Sequence, residues 1–298
     1  MSILLACDLD GTLIYSRRRA GVDVSEKDLV CVEQLDGRPV SYVTSAALAG
    51  IHELNRAAEV VAVTARSTAQ FQRVTLPLSR RYAVLANGGL LLDHGVADVA
   101  WSAGVTRRLR GVAPLAEVLH RVESVCDAAW TRKVTVVESL FCCAVVDSHA
   151  LPPTFVADEQ DWAQRHGWRV SLQGSKFYVV PQPLEKAVAV AEVARRVGAT
   201  TVFAAGDAAL DADLLRAADR GVHPSAGELA AEGWSAASVT RVPAGGVLGG
   251  EQIVDWLRAQ VSGVAGDAAA ESPTSPARPR TGRPAEARTA GVPQGAMD

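Results

Sequence analysis

The first third of the chain alternates short apolar runs with a segment of helical periodicity. Apolar residues recur at helical spacing in 45–58. Continuous apolar runs lie at 3–8 and 60–64, which end in polar residues, and at 82–86, which is followed by Asn-Gly-Gly. Runs of this length are typical of buried strands. The alternation therefore predicts a parallel sheet with helical crossovers. A hairpin at 29–44, with Asp36-Gly37 as its turn, interrupts the pattern.

The alternation then stops and a different order follows. In this segment the pattern predicts a helix, two strands, a helix and two strands, at 114–130, 133–139, 141–147, 155–166, 169–172 and 176–180. A helix at 184–197 and a strand at 201–205 restore the alternation. We therefore predict an α/β protein with a Rossmann-like parallel sheet core and helices on both faces. The core spans 1–89 and 181–261, and an inserted α+β (αββαββ) domain spans 90–180.

The last segment, 262–298, differs in composition from the rest. It holds five of the fourteen prolines and no aromatic residue, and its four arginines balance four acidic residues. A segment of this kind buries too little apolar surface to fold, so we predict a disordered tail.

Composition and charge narrow the class of protein. Thirty basic and 33 acidic side chains give a net charge of -3 without a basic block, which argues against a nucleic-acid binder. No apolar run approaches the roughly 18 residues of a membrane span. Asp8 and Asp10 stand where a signal peptide needs an apolar core, and the five cysteines form no CxxC. A cytoplasmic protein with no nucleic-acid or membrane partner is expected, and the oligomeric state stays open.

Polar groups stand at the ends of the predicted core strands or at the start of the helix that follows. Strand ends converge on one crevice in an open parallel sheet. Four carboxylates in one crevice would repel one another strongly, and a divalent cation with oxygen ligands, Mg²⁺ above all, relieves that repulsion. The converging residues are Asp8, Asp10, Thr64, Lys186, Asp207 and Asp211.

Four segments around these residues resemble, in order and spacing, the motifs of the haloacid dehalogenase (HAD) superfamily. They are DLDGT at 8–12, VAVTAR at 61–66, PLEKAVAV at 183–190 and GDAALDADLL at 206–215. The second carboxylate, Asp10, distinguishes phosphatases and phosphomutases from the dehalogenases and ion-pumping ATPases of the superfamily. The inserted domain resembles the smaller type-2 cap of sucrose- and mannosylglycerate-phosphate phosphatases.

The resemblance implies roles for the residues. Asp8 would be the nucleophile, and Asp10 the general acid and then the base. Asp8, Asp207 and the backbone carbonyl of Asp10 would bind Mg²⁺, with Asp211 as a further ligand or as support for one. The phosphoryl oxygens would contact Thr64, Lys186 and Arg66, and Lys176 is another candidate anion contact.

The implied function is a Mg²⁺-dependent phosphatase acting on a small phosphorylated metabolite, a sugar phosphate, through an aspartyl-phosphate. The alternatives are a phosphomutase and a non-catalytic protein that binds a phosphorylated metabolite. The second alternative arises because Ala208 and Leu210 replace the serine and asparagine usual in the fourth motif. Tryptophans 101, 130, 162 and 168 lie in or beside the cap, where they either stack on a sugar or form the cap core.

Overall fold

The computed structural model describes residues 2–21, 24–79 and 81–270 of the 298-residue chain. The strands in these ranges are β1 (Ile3–Cys7), β2 (Tyr15–Ser16), β3 (Leu29–Leu35), β4 (Arg38–Thr44), β5 (Glu59–Val63), β6 (Tyr82–Leu85), β7 (Leu90–Asp93), β8 (Val96–Ala97), β9 (Thr131–Val137), β10 (Phe141–Val146), β11 (Trp168–Gln173), β12 (Lys176–Pro181), β13 (Thr201–Ala205), β14 (Arg220–His223) and β15 (Val239–Arg241). The helices are α1 (Ser45–Ala57), α2 (Thr68–Phe71), α3 (Val99–Arg108), α4 (Leu115–Val125), α5 (Phe155–Arg165), α6 (Lys186–Val197), α7 (Ala212–Ala217), α8 (Glu228–Ala231) and α9 (Gly246–Ala270).

The core is an eight-stranded sheet in the order β15-β14-β13-β1-β5-β6-β7-β8. The first six strands of this order are parallel, and β7 and β8 are antiparallel to their neighbours. Strand β1 lies near the middle and is buried along its whole length. It is apolar at every position because a parallel sheet is covered on both faces. The predicted α/β class and parallel core are confirmed.

The two faces of β1 belong to two hydrophobic clusters. Leu5 and Cys7 pack in the cluster that contains the apolar residues of α1 and α9. Leu4 and Ala6 pack in the cluster that contains those of α6 and α7, and this cluster continues into the second sheet. Since successive strand residues point to opposite faces, one short apolar run anchors helices on both sides of the sheet.

The inserted segment has the predicted αββαββ order. It comprises α4, β9, β10, α5, β11 and β12, and its strands form an antiparallel sheet in the order β11-β12-β10-β9. We call these elements the cap. Its interior is built from large side chains, among them Phe141, Phe177 and Trp168, which are at most 1% exposed. A third, three-stranded sheet consists of β2, β4 and β3, and contains the predicted hairpin with its turn at Asp36-Gly37.

The predicted start of the inserted domain at residue 90 is wrong. Residues 90–97 form β7 and β8, which extend the core sheet, and α3 packs beside them, with Trp101 Nε1 donating to the Gly88 carbonyl at 3.0 Å. The pattern did not reveal this hairpin because its strands are very short and its turn, His94-Gly95, lacks the usual Asn-Gly or Asp-Gly pair. The cap begins at α4.

The predicted start of the tail at residue 262 also needs correction. Helix α9 continues to Ala270, and Val264 packs against the cluster shared with α1. This contact supports the extra turns where composition alone predicted none. Residues 271–298 lie outside the described residues. Across the described ranges, every helix is too short or too polar to cross a bilayer.

Candidate active site

The strand ends place the predicted residues at one edge of the core sheet. Asp8 follows β1 directly, Thr64 follows β5, and Asp207 comes two residues after β13. Because β1 lies between β13 and β5 and is parallel to both, the three ends meet at the same edge. Lys186 begins α6 and Asp211 precedes α7. All five side chains belong to residues at most 6% exposed.

Lys186 joins two of the carboxylates. Its Nζ donates to Asp8 Oδ1 at 2.7 Å and to Asp211 Oδ1 at 2.5 Å. The other oxygen of Asp211 accepts the backbone N–H groups of Asp207 and Ala208, both at 3.0 Å. Burial acts to lower the pKa of Lys186, but Asp211 and Asp8 outweigh it and raise that pKa above its usual range. Asp211 therefore fixes the charged lysine beside Asp8.

The carboxylates themselves form a candidate metal centre. One oxygen from each of Asp8, Asp207 and Asp211 can be chosen so that all lie within 4.8 Å of one another. Burial raises the pKa of Asp8 and of Asp207, and the neighbouring carboxylates add to the increase. Clustered hard oxygen donors short of positive charge suit Mg²⁺. The carboxylate of Asp10, one of the predicted metal residues, is not in this group.

Arg19 is a site residue that the sequence analysis missed. Its Nη2 donates to Asp207 Oδ2 at 2.9 Å. Gly11, with a φ of 91°, lies against the same carboxylate, and a Cβ there would collide with Asp207. The glycine of DLDGT is therefore needed both for its left-handed backbone and for the close approach of Asp207. Arg19 lies seven residues beyond the motif, where no local pattern marks it as a site residue.

Asp10 belongs to a separate chain of charges. Arg66 binds it through two parallel hydrogen bonds from one edge of the guanidinium, with Nε 2.7 Å from Oδ2 and Nη2 2.9 Å from Oδ1. The same Nη2 lies 2.8 Å from Glu33 Oε2. Glu33 is 2% exposed and also accepts hydrogen bonds from Arg73 and Ser41. The β3–β4 hairpin thus holds Arg66, and through it Asp10, in place.

Glu33 had no sequence signal because a bulge sets its direction. The pairing of β3 with β4 shifts register on both sides of Glu33. A bulge adds a residue to one strand and redirects its side chain. Val32 and Glu33, neighbours in sequence, are consequently both buried. A strict alternation of inward and outward positions cannot predict that arrangement.

Lys176 of the cap contacts Asp10 of the core. Its Nζ lies 3.5 Å from Asp10 Oδ2, although the residue was expected only as an anion contact. Burial acts to raise the pKa of Asp10, but Lys176 and Arg66 together lower it below its usual range. Asp10 is therefore held as a carboxylate between a residue of the core and a residue of the cap.

The segment after β6 positions the start of α6, the helix that begins at Lys186. The Thr64 carbonyl accepts the Asn87 N–H at 3.0 Å, and Asn87 Nδ2 donates to the Leu184 carbonyl at 2.7 Å. Gly88 has a φ of 91°, and a Cβ there would collide with the Glu185 carbonyl. The Asn-Gly-Gly sequence at 87–89 thus places the start of α6, and with it Lys186, against the end of β5.

A cavity of about 460 Å³ opens over Asp10 between the core, the hairpin and the cap. Three acidic residues line it: Asp10, Glu33 and Asp147. Six cationic residues line it: Arg18, Arg19, Arg66, Arg73, Arg132 and Lys176. The walls are also rich in serine and glutamine. An excess of three positive charges at the mouth of the site favours an anionic ligand.

The tryptophans are not part of this cavity. Among the described residues, its lining contains no aromatic side chain. Trp101, Trp130 and Trp168 are buried in the hydrophobic core, and Trp162 stacks on His166 with ring centroids 4.1 Å apart. The stacking hypothesis is therefore wrong for this cavity, and the alternative, that the cap tryptophans are core residues, holds.

The two departures in the fourth motif have a structural account. Leu210 is buried in the core cluster, where an apolar side chain packs well. Ala208 contributes its backbone N–H, rather than a side chain, to the Asp211 carboxylate. The Ala209 N–H donates to Glu228 Oε2 at 2.9 Å, which gives the loop a further support. The loop therefore holds Asp207 and Asp211 without the missing hydroxyl and amide.

Comparison with known proteins finds solved structures with a similar fold. No protein-family model and no curated protein sequence matches the chain. The sucrose-phosphatase of Synechocystis superposes with a TM-score of 0.61 at 15% identity, over 87% of this chain and 99% of that one. A HAD subclass IIB sugar phosphatase gives 0.53 at 12% identity, over 88% and 100%. A trehalose-6-phosphate phosphatase related protein gives 0.52 at 16% identity, over 89% and 99%. The chain has the fold of the HAD superfamily phosphatases.

Proposed function

We propose that the protein is a Mg²⁺-dependent phosphatase that hydrolyses the phosphate monoester of a small metabolite through an aspartyl-phosphate on Asp8. One observation carries the proposal: three buried carboxylates are clustered, two of them bind a buried lysine, and the neighbouring Asp10 lines a cavity with excess positive charge. Charge neutralisation and positioning supply most of the catalysis of phosphoryl transfer, and these groups supply both.

In the first half of the reaction, a carboxylate oxygen of Asp8 attacks phosphorus. The bond from phosphorus to the leaving oxygen breaks, and Asp10 gives that oxygen a proton. Asp10 must be protonated for this step, whereas Lys176 and Arg66 favour its carboxylate. An anionic phosphoryl group beside Asp10 opposes the two cations, because a nearby negative charge favours the protonated carboxyl. Thr64 and Lys186 hold the phosphoryl oxygens.

In the second half, Asp10 acts as the base. It takes a proton from water as the water oxygen attacks phosphorus, and the bond to Asp8 breaks to release phosphate. Arg66, itself anchored by Glu33, fixes the Asp10 carboxylate for this step. A base must lie within hydrogen-bond reach of the proton that it removes, so this anchoring matters for the rate.

The residues fit a bound Mg²⁺. Asp8 and Asp207 would hold it with the backbone carbonyl of Asp10. Asp211 would act through Lys186 and the loop, because Lys186 and two backbone N–H groups already engage its oxygens. When bound, the ion neutralises charge on the phosphoryl group and orients it. Arg19 Nη2, 2.9 Å from Asp207 Oδ2, holds that carboxylate in position.

The substrate class is a sugar phosphate or a similar polyol phosphate. Serine and glutamine side chains on the cavity walls offer hydrogen bonds to hydroxyl groups. Two of the fold relatives are a sucrose-phosphatase, solved with sucrose and phosphate, and a sugar phosphatase. At 15% and 12% identity these structures support the fold alone, so the substrate class rests on the cavity of this chain.

Hydrolysis of p-nitrophenyl phosphate with Mg²⁺ tests the proposal. Asp8→Asn should lower kcat by at least about 10³-fold, since an amide cannot attack phosphorus. Asp161→Asn, an exposed change on α5, is the matched control and should retain full activity. A phosphorylated protein should be trapped by acid quench in the wild type and be absent in Asp8→Asn.

The same experiment separates the alternatives. A wild-type protein that binds phosphorylated sugars but hydrolyses nothing would be a binding protein. A phosphomutase would move the phosphoryl group to another position of the sugar and release little phosphate. Activity above a few per cent in Asp8→Asn, with a native circular dichroism spectrum, would overturn the role of Asp8.

A further inference from the structure

The cationic residues that line the cavity are not the residues that bind the phosphoryl group. In the proposed function that group contacts Thr64 and Lys186, and neither of them is in the cavity lining. Arg66 and Lys176 are engaged by Asp10, Arg19 by Asp207 and Arg73 by Glu33. The remaining cations of the lining, Arg132 and Arg18, have no carboxylate within 4.0 Å among the described residues.

Arg132 lies at the end of the cap sheet that faces the site. Strand pairing joins Thr131 to Val146 and Lys176 to Val145, so Arg132 and Lys176 lie at the same end of the sheet. Asp147, beside this end, also faces the cavity, and its Oδ1 accepts the His149 N–H at 3.2 Å. Since Lys176 reaches Asp10, a ligand that contacts Arg132 extends from the reaction centre along the cap wall.

Arg18 enters the same cavity from the core, in the loop after β2. Guanidinium groups bind carboxylate and phosphate through two parallel hydrogen bonds. The lining offers no aromatic face for stacking on an uncharged sugar, so charge is the main means of recognition that the cavity wall presents. Cap and core each contribute one such cation.

We propose that the leaving group of the substrate carries a second acidic group, a carboxylate or a phosphate, which Arg132 and Arg18 bind. The inference rests on the proposed function, because it describes the part of the substrate that lies beyond the phosphoryl group. The preferred substrate is then an acidic sugar phosphate or a sugar bisphosphate rather than the monophosphate of a neutral sugar.

Two pairs of ligands test this and distinguish the two acids. 6-Phosphogluconate and glucitol 6-phosphate differ only by a carboxylate in place of a hydroxymethyl group. Glucose 1,6-bisphosphate and glucose 6-phosphate differ only by the second phosphate. Calorimetric titration of the Asp8→Asn protein with Mg²⁺ measures binding without turnover. The acid of at least one pair should bind at least about tenfold more tightly than its neutral partner, as expected for hydrogen bonds to a charged group.

The same titrations with Arg132→Gln added should reduce this advantage to less than about threefold. Arg165→Gln, which removes an exposed arginine of the cap outside the cavity, is the matched control and should preserve it. Equal binding within both pairs, an advantage that survives Arg132→Gln, or no binding of any ligand would each overturn the inference. Wild-type hydrolysis of p-nitrophenyl phosphate tests the proposed function separately, so the two failures are distinguishable.

Discussion

At the scale of single residues, the candidate site is a set of buried charges that are matched in small groups. Lys186 forms ion pairs with Asp8 and Asp211. Arg19 pairs with Asp207, and Arg66 pairs with both Asp10 and Glu33. A buried charge that loses its partner is costly, because neither water nor another group replaces the interaction. Substitutions within these groups should therefore affect both stability and chemistry.

Glu33→Gln should destabilise the fold and slow turnover. The substitution keeps the size of the side chain but removes the charge that Arg66 and Arg73 share, and its amide N–H₂ faces donors. We expect a loss of about 2–4 kcal/mol in the free energy of unfolding, measured with urea. Activity of the folded variant should fall because Arg66 no longer has its anchor behind Asp10.

Glu53→Gln is the control for Glu33→Gln. Glu53 pairs with Arg258 on the surface, where both side chains are about half exposed. An exposed ion pair contributes at most about 1 kcal/mol, so this variant should unfold close to wild type and keep its activity. Equal stability of the two variants would show that the buried position of Glu33 has no special importance.

Asp207→Asn should weaken Mg²⁺ binding. The amide retains one oxygen donor but loses the charge that a hard divalent cation prefers. The Mg²⁺ concentration for half-maximal activity should rise at least about tenfold, and the increase in Tm that Mg²⁺ gives the wild type should shrink at the same concentration. Asp161→Asn should change neither. An unchanged Mg²⁺ requirement in Asp207→Asn would place the ion elsewhere.

At the scale of elements, the sequence predicts those whose signal is local. The β3–β4 hairpin has an Asp-Gly turn, and α6 ends at Val197, just before Gly198, which has a φ of 64°. Helix α1 starts at Ser45, where its apolar spacing begins, after Thr44, whose Oγ1 accepts the Ala47 N–H at 3.0 Å. The short strands β7 and β8 and the bulge at Glu33 depend on sheet pairing, which no local pattern records.

The same distinction explains what could be predicted of the site. Asp8, Thr64 and Asp207 stand at strand ends, so the parallel topology alone brings them together. The contacts of Arg19 and Glu33 come from loops and a bulge that fold back over the strand ends. Their positions depend on long-range packing, which leaves no periodic pattern of hydrophobic and polar residues in the sequence.

Gly88→Ala should displace the start of α6. Gly88 and Gly95 both have positive φ, of 91° and 80°, but a Cβ at Gly88 would collide with the Glu185 carbonyl while Gly95 has open space. Gly95→Ala should therefore cost only the backbone strain of about 1–2 kcal/mol. Gly88→Ala should cost more in the free energy of unfolding and should also lower kcat, because Lys186 follows Glu185. Equal costs for the two variants, with normal kcat, would contradict this role.

At the scale of the whole molecule, cap and core are joined by hydrogen bonds near the site. The Thr68 N–H donates to Glu138 at 2.6 Å, and Arg169 Nη2 donates to the Leu184 carbonyl at 3.0 Å. Glu228 makes the most extensive connection. It accepts from Ser171 Oγ at 2.6 Å and the Leu172 N–H at 3.0 Å in the cap, and from the Ala209 N–H in the loop at 206–211. One carboxylate therefore couples the position of the cap to that of Asp207 and Asp211.

Glu228→Gln should loosen the cap. Three donors converge on the carboxylate, so one of them must face the amide N–H₂ of the variant and lose its acceptor. The state in which the cap contacts the core should lose about 1–3 kcal/mol of stability. This corresponds to roughly a 5- to 150-fold shift of the equilibrium toward a cap separated from the core. Hydrogen exchange measures this directly: the amides of Leu172 and Ala209 should exchange faster, and kcat/KM should fall for every substrate because the cavity wall is less well placed. Glu232→Gln, an exposed change immediately after the same short helix, should leave both amides protected. If the two amides stay equally protected in Glu228→Gln, other contacts hold the cap in place and Glu228 does not couple it to the loop at 206–211.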